Sequence, residues 1–355
     1  MGAGLIPAHP DKKQPKSDPA AFIPAARYTE PTAMTHTAPT PARLSLFPVS
    51  FFSTVMGTAG LAIAWQKAHL VLGAPAEVGQ WLRWLATAVW LLTALVYGLK
   101  FLTHRVAVLG EWRHPVRINF FPTISIGLLL LAIAWAEDAP GLAAPIWGLG
   151  AGLHLAFTLA IMGGWLHHTH YEIKHANPAW FIPVVGNIIV PVVGVRFAPP
   201  ELSWFFFSIG LVFWLVLLTI VMYRLFFHEP LPLRLTPTLF ILLAPPSVGC
   251  VAWMNLTGEV DAFARILLHT ALFLALLLFS NVLRFLRVPF FLSSWAYSFP
   301  LAAVTIATLA MAGRTHSTFF SALGMILLSI LSLVLGLLIA RTLVAVRRGE
   351  ICQPE

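Results

Sequence analysis

Apolar residues in this chain run on rather than alternate. Stretches such as FFFSIGLVFWLVLLTIVMY and ALGMILLSILSLVLGLLIARTLVAV stay largely apolar over about five helical turns or more. A soluble helix would turn a polar face to water within each turn. Ten such segments stand out, near 46–66, 82–101, 119–136, 143–166, 180–196, 203–224, 236–254, 262–284, 292–311 and 317–342. About 20 residues of helix cross a hydrocarbon core of about 30 Å. A membrane β-barrel would instead show alternating strands of about 10 residues, and these runs are too long and too uniformly apolar. The pattern predicts an all-α integral membrane protein with ten transmembrane helices.

The prolines divide that pattern in two. The first, third, fifth, seventh and ninth segments hold Pro48, Pro122, Pro183 with Pro191, Pro245 with Pro246, and Pro300. Among the even segments only the fourth has one, Pro145, expected in the first turn, where a helix tolerates it. An interior proline costs about 3 kcal/mol. In a bilayer the backbone groups it frees persist only where protein or a watery cavity covers them. Five kinked helices are therefore expected to face one another and line a pore, with five straight ones outside, as five helical hairpins around a central axis. Polar residues follow the same division, and Ser50, Thr54, Thr123, Asn187, Ser247 and Ser298 are candidates for the pore wall. For any one of them, close helix packing is the plainer explanation. Together with the prolines, they favour a pore.

Composition agrees with a membrane protein: 355 residues, 58% hydrophobic and 10% charged, with a mean hydropathy of +0.82. With the N-terminus inside, 17 of the 22 Lys and Arg residues fall on the inner side and five outside. That bias predicts an inner-membrane, multi-pass protein with both termini cytoplasmic. The net charge of +8 is spread over many short loops, which argues against nucleic-acid binding. Residues 1–42, with eight prolines and no long apolar run, read as a disordered cytoplasmic tail. Residues 43–345 form the membrane domain and 346–355 a short cytoplasmic tail. Cys250 and Cys352 lie too far apart in this topology to suggest a disulfide. All 14 acidic residues are expected in tails, loops or helix ends, and no buried Lys or Arg is expected in a span. A wall of hydroxyls, amides and broken-helix ends suits a weakly held anion better than a cation or a coupled proton.

Five stretches carry a family resemblance. LFPVSFFSTVMGTAGLAIAW (46–65), HPVRINFFPTISIGLLLLA (114–132), WFIPVVGNIIVPVVG (180–194), APPSVGCVAW (244–253) and SSWAYSFPLAAVTIATLA (293–310) resemble, in order, the odd helices of the tellurite-resistance/dicarboxylate transporter family. That family takes in bacterial tellurite-resistance proteins and plant slow-type anion channels. The resemblance implies a homotrimer with one pore per subunit in the lipid bilayer, passing small inorganic or organic anions without a cofactor. It also implies a phenylalanine that occludes the pore, which corresponds to Phe299 here. It does not choose among chloride, nitrate, sulfite, tellurite and dicarboxylates.

Two other readings stay open at this point. One is a proton-coupled carrier of four-carbon dicarboxylates, for which His154 and His269 in even-numbered spans are possible relays; hydrogen-bonded packing or trimer contacts explain them more simply. The other is a membrane enzyme using a metal held by the segment HHTHYEIKH, with His167, His168, His170 and His175. Such enzymes need several histidine clusters with carboxylate support, and this chain has one dense cluster with Glu172. No metal site is therefore assigned.

Overall fold

The computed structural model describes Gly2 and residues 43–167, 171–351 and 353. Gly2 belongs to a unit spanning Met1–Thr40, and the remaining described residues to a unit spanning Pro41–Glu355. Apart from Gly2, the N-terminal tail lies outside the described residues, as do His168, His170 and Cys352.

Among the described residues the secondary structure is helical throughout. The helices are α1 (Ser53–Leu72), α2 (Ala76–Thr103), α3 (Arg105–Arg113), α4 (Thr123–Trp135), α5 (Pro140–His167), α6 (Phe181–Val185), α7 (Pro191–Phe197) and α8 (Pro200–Phe227). They continue with α9 (Ala244–Thr257), α10 (Ala262–Phe279), α11 (Val282–Leu286), α12 (Ser298–Thr315) and α13 (Thr318–Arg347). Each of α1, α4, the α6–α7 pair, α9 and α12 packs against the long helix that follows it, giving five hairpins. The first members also pack on one another: α1 on α4 and α12, α9 on α12 and α7, and α4 on α7. They close an inner ring inside an outer ring of α2, α5, α8, α10 and α13.

Nine segments among the described residues are long and apolar enough to cross a membrane. The four inner ones are 78–89% buried within the protein and the five outer ones 22–39%. The first inner helix, α1, falls outside those nine, because Gln66, Lys67 and His69 make its last turns polar. It is still 20 residues long, with twelve of them buried.

The prolines act differently from the expectation of mid-helix kinks. Every inner segment starts as a 3₁₀ helix and then widens into α: residues 49–52, 117–120, 178–180, 233–243 and 292–297 precede the α portions. Pro122 is the residue just before α4, Pro191 opens α7, and Pro183, Pro245, Pro246 and Pro300 fall in the first turns of α6, α9 and α12. A first turn is where a missing N–H costs least. Apart from Pro48, which precedes the 3₁₀ stretch of the first segment, the prolines therefore mark where tight helix gives way to α, without interrupting an established ladder. Backbone bonding runs straight through these junctions: the N–H of Ala244 donates to Ile241 O and that of Ser298 to Trp295 O. Helix α5 begins early enough that Pro145 sits in its second turn rather than its first.

The expectation that spans lack buried Lys and Arg needs correction. Lys100, Arg83 and Arg224 are all buried, near the ends of α2 and α8. Lys100 Nζ donates to Glu111 Oε2 at 2.9 Å and to Phe47 O at 2.8 Å, while Glu111 also accepts from Tyr97 Oη and from the N–H of Val49. Glu111, expected at a helix end or in a loop, is 4% exposed. This clasp ties the start of the inner ring, Phe47 to Val49, to α2 and α3. Arg83 pairs with Asp138 and stacks 4.0 Å over the Trp135 ring, and Arg224 donates to Glu229 O. A buried charge is tolerable only when paired in this way.

Candidate functional site

Two cavities lie end to end inside the inner ring. The larger is lined by Ser53 and Met56 of α1, Phe120 and Ile126 around the start of α4, Phe181, Ile182, Val185, Gly186, Ile188 and Ile189 of the third inner segment, Ile241, Ala244, Pro245 and Val248 of the fourth, and Trp295, Ala296, Phe299 and Pro300 of the fifth. Centres of water-sized spheres fit within about 70 Å³ of it, enough for several waters, since one needs roughly 10–15 Å³ by this measure. The smaller, about 40 Å³, is lined by Ile63, Leu130, Ile133, Val192, Val251, Ala303 and Ile306. All five inner segments contribute to each cavity.

Three side chains belong to both linings: Phe299, Ile189 and Val248. They form a septum between the chambers. Phe299 is buried, and its ring is seated against Gly60: a Cβ built on Gly60 would lie 3.4 Å from Phe299 Cδ2 and 2.8 Å from the Ala302 Cβ. The missing side chain at Gly60 thus lets α12 approach α1 and positions the ring on the axis.

The septum is apolar, the walls are apolar apart from Ser53, and neither lining includes a titratable side chain. The polar candidates have other work. Thr54 donates to Phe51 O, Thr123 to Phe120 O, Ser247 to Leu243 O and Ser298 to Trp295 O, while Asn187 donates to Val184 O and Thr158 Oγ1. These five lie outside both linings, as does Ser50. Apart from Thr158 Oγ1, their acceptors are carbonyls at or near the junctions between 3₁₀ and α helix, where a bare buried carbonyl would cost about 1–3 kcal/mol. Of the seven prolines, Pro245 and Pro300 line the larger chamber, whereas Pro48, Pro122, Pro183, Pro191 and Pro246 stand behind the wall.

The sequence model of the voltage-dependent anion channel family, SLAC1, matches residues 46–343, the whole ring of hairpins. The chain belongs to that family. Relatives include the S-type anion channel SLAH3 of Arabidopsis thaliana, 32% identical over 308 residues, covering 84% of this chain and 48% of the relative. The tellurite resistance protein TehA homolog of Haemophilus influenzae is 26% identical over 309 residues, covering 85% and 92%. An uncharacterized transporter of Methanocaldococcus jannaschii, MJ0762, is 26% identical over 286 residues, covering 74% and 84%. The chain spans about half the length of the plant channels SLAH3, SLAH2 and SLAC1.

Membership identifies a multi-pass membrane protein of an anion-channel family rather than an enzyme. Among the described residues no group of three or more His, Cys, Asp and Glu is arranged to hold a metal. Of the HHTHYEIKH segment, His175 Nδ1 accepts from the N–H of Glu172. Lys174 pairs with Glu172 at 2.8 Å and holds its carboxyl below the usual range. His154 is fully buried, with Nδ1 2.9 Å from Ser125 Oγ, while the exposed His269 bonds Arg265 O through Nδ1. Neither histidine lines a chamber.

Sequence reasoning singled out Phe299 but not Ile189 and Val248, which share both linings with it. Nothing in their residue type separates them from dozens of other apolar residues. The one usable signal was position, since Ile189 lies two residues after Asn187 and Val248 two after Pro246, each beside a junction already singled out.

Proposed function

We propose that this protein passes small anions through the axis of its five-hairpin ring, with Phe299, Ile189 and Val248 as the occluding constriction. The observation that carries this reading is the pair of axial chambers, walled by all five inner segments and separated only by that septum. A constriction this apolar sheds water, so an ion must lose hydration to cross it, and a modest rotation of the Phe299 side chain changes the barrier. With no charge in the wall, the passing ion binds weakly and leaves quickly. The names of the relatives agree: S-type anion channels among the plant proteins and a tellurite resistance protein in a bacterium.

The remaining parts of the reading follow from it. Helix α1, at 20 residues and about 30 Å, serves as a tenth span. The basic bias puts both termini on the cytoplasmic side of the cell membrane. The outer ring exposes rows of apolar side chains, such as Leu92, Leu215 and Leu337, to lipid or to neighbouring copies in a homotrimer. The absence of titratable groups from both linings leaves a proton-coupled dicarboxylate mechanism without a relay on the axis.

The test is electrical. Purified protein in planar bilayers should give currents whose reversal potentials follow the gradient of chloride or nitrate and ignore the cation. A cation-following reversal potential would reject the proposal.

A further inference from the structure

If the throat carries no charge, the sign of the permeating ion must be selected elsewhere, and the helix geometry says where. On one helix face, residues four apart stack a turn above one another. One turn beyond the smaller chamber, Ile63 leads to Lys67, Val192 to Arg196 and Val251 to Asn255 on their helices, while Glu137, four residues past Ile133, lies in the turn that follows α4. Ile306 leads to Arg314 two turns on. Every inner segment thus contributes one charged or polar side chain to the mouth at which these helices end.

The contacts join them into a ring. Arg196 Nη1 bonds Glu137 Oε1 at 2.5 Å. Arg314 donates to Asn255 Oδ1 at 3.1 Å and to Gly258 O at 2.7 Å, and Asn255 donates to Val192 O at 2.8 Å. Lys67 lies within electrostatic range of both Arg314 and Glu137. Three cations and one carboxylate give the ring a formal charge of +3 − 1 = +2. Of the nearby carboxylates, Asp138 is neutralised by Arg83, whereas Asp261, held by the Ala264 N–H and the Trp253 indole, and the exposed Glu259 keep their charge in the loop between α9 and α10 at the edge of this mouth. Of the five basic residues expected on the outer side, three stand in this ring.

We propose that Lys67, Arg196 and Arg314 form an anion-binding vestibule at this mouth, in which the tethered carboxylate of Glu137 occupies the position a free small anion takes and competes with it. The proposal rests on the anion-pore reading above. Glu137 is 75% exposed and Arg196 43%, so their pairing is open to exchange with solution ions, and such pairs contribute little to stability. The ring supplies what the apolar septum lacks, a local excess of anions of either mineral or carboxylate type, without a tight site on the axis that would slow exit.

The experiment uses the full chain in planar bilayers with chloride as the probe, comparing a low-salt bath of about 0.01 M with one of about 1 M, where the screening length falls from about 30 Å to about 3 Å. Lys67→Gln and Arg196→Gln should lower chloride conductance in low salt by about two- to fivefold, with little change at high salt. Glu137→Gln should raise it in low salt, because removing the competitor frees Arg196. Equal conductance of all variants and wild type in low salt, changes that persist unaltered in high salt, or a loss with Glu137→Gln matching that of the cation variants would each overturn the vestibule. A wild-type protein that passes no anion would overturn both proposals, whereas an anion-conducting wild type with unresponsive variants overturns this one alone.

Discussion

The two rings of helices solve opposite problems with similarly apolar sequences. The outer helices are unbroken runs of 18 to 30 residues, and only 22–39% of their apolar stretches is buried within the protein. They satisfy their own backbone and leave the choice of neighbour to lipid or to another copy of the chain. The inner segments are assembled from short 3₁₀ and α pieces and are almost wholly buried. They need hydroxyl donors for their junction carbonyls and a close approach between backbones. Irregular backbone is therefore affordable only inside a sleeve of regular helices, and the irregular part is what surrounds the chambers.

The comparison is easiest to break where the rings are clasped together. Lys100→Met leaves Glu111 buried without its cation and frees Phe47 O, a loss of about 3–5 kcal/mol by the usual cost of halving a buried pair. Detergent-solubilised protein should show a large drop in thermal unfolding temperature. A midpoint within a degree or two of wild type would mean that water reaches Glu111.

A matched pair of glycines sharpens the contrast. On the inner ring, Gly60→Ala forces a methyl against Ala302 and Phe299 and should cost about 1–3 kcal/mol. On the outer ring, Gly98 in α2 has nothing within 4 Å of a built Cβ, so Gly98→Ala should stabilise by about 0.5–1 kcal/mol. Unfolding measurements on the two variants should move in opposite directions; movement in the same direction would erase the distinction between the rings.

Function should respond most at the septum. Phe299→Ala is expected to raise single-channel conductance on the order of tenfold, with Ile189→Ala and Val248→Ala raising it about two- to threefold. Unchanged single-channel currents in all three would remove the septum from the permeation path. Substituting Leu92, exposed on the outer ring, serves as the control and should leave conductance alone.

The smallest effect concerns a cap outside the spans. The Ala264 N–H, with help from the Trp253 indole, holds the Asp261 carboxyl below its ordinary value of 3.8. A depressed pKa means that the stabilisation is complete above the ordinary value and fades as pH falls through the lowered one. Asn caps about as well as Asp and does not titrate. Asp261→Asn should therefore match wild type near neutrality and lose part of the decline in unfolding temperature below about pH 4. Identical acid profiles for the two proteins would show that the cap is not felt.

Much of the fold was legible because its causes are local. Pro48, Pro122, Pro183 with Pro191, Pro245 with Pro246, and Pro300 marked the inner segments without any knowledge of contacts. The error lay in how they act: a proline in the first α turn after a 3₁₀ stretch looks in sequence like one inside a long helix, since the boundary depends on backbone bonding that residue type does not reveal. The same blindness turned Thr54, Thr123, Ser247 and Ser298 into pore candidates. A hydroxyl that bonds a carbonyl three or four residues back cannot be told, in sequence, from one that faces water. The pairing of Lys100 with Glu111 could not be read from the sequence, because neither reveals its partner until α3 folds back beside α2.

By itself, then, the sequence determined that this is a multi-spanning helical membrane protein, and which segments are inner and which outer. Those properties depend on sums over neighbouring residues: the free energy of transferring about 20 side chains into hydrocarbon, and the missing N–H of each proline. Only the tertiary structure decided which side chains meet on the axis. Each residue turns a helix by about 100°, so whether Ile189 or Ile188 reaches the septum depends on a rotation fixed by packing against four other segments. The charged ring has the same origin: Lys67, Glu137, Arg196 and Arg314 are scattered over 248 residues of chain and share a mouth because the five inner segments end at the same height.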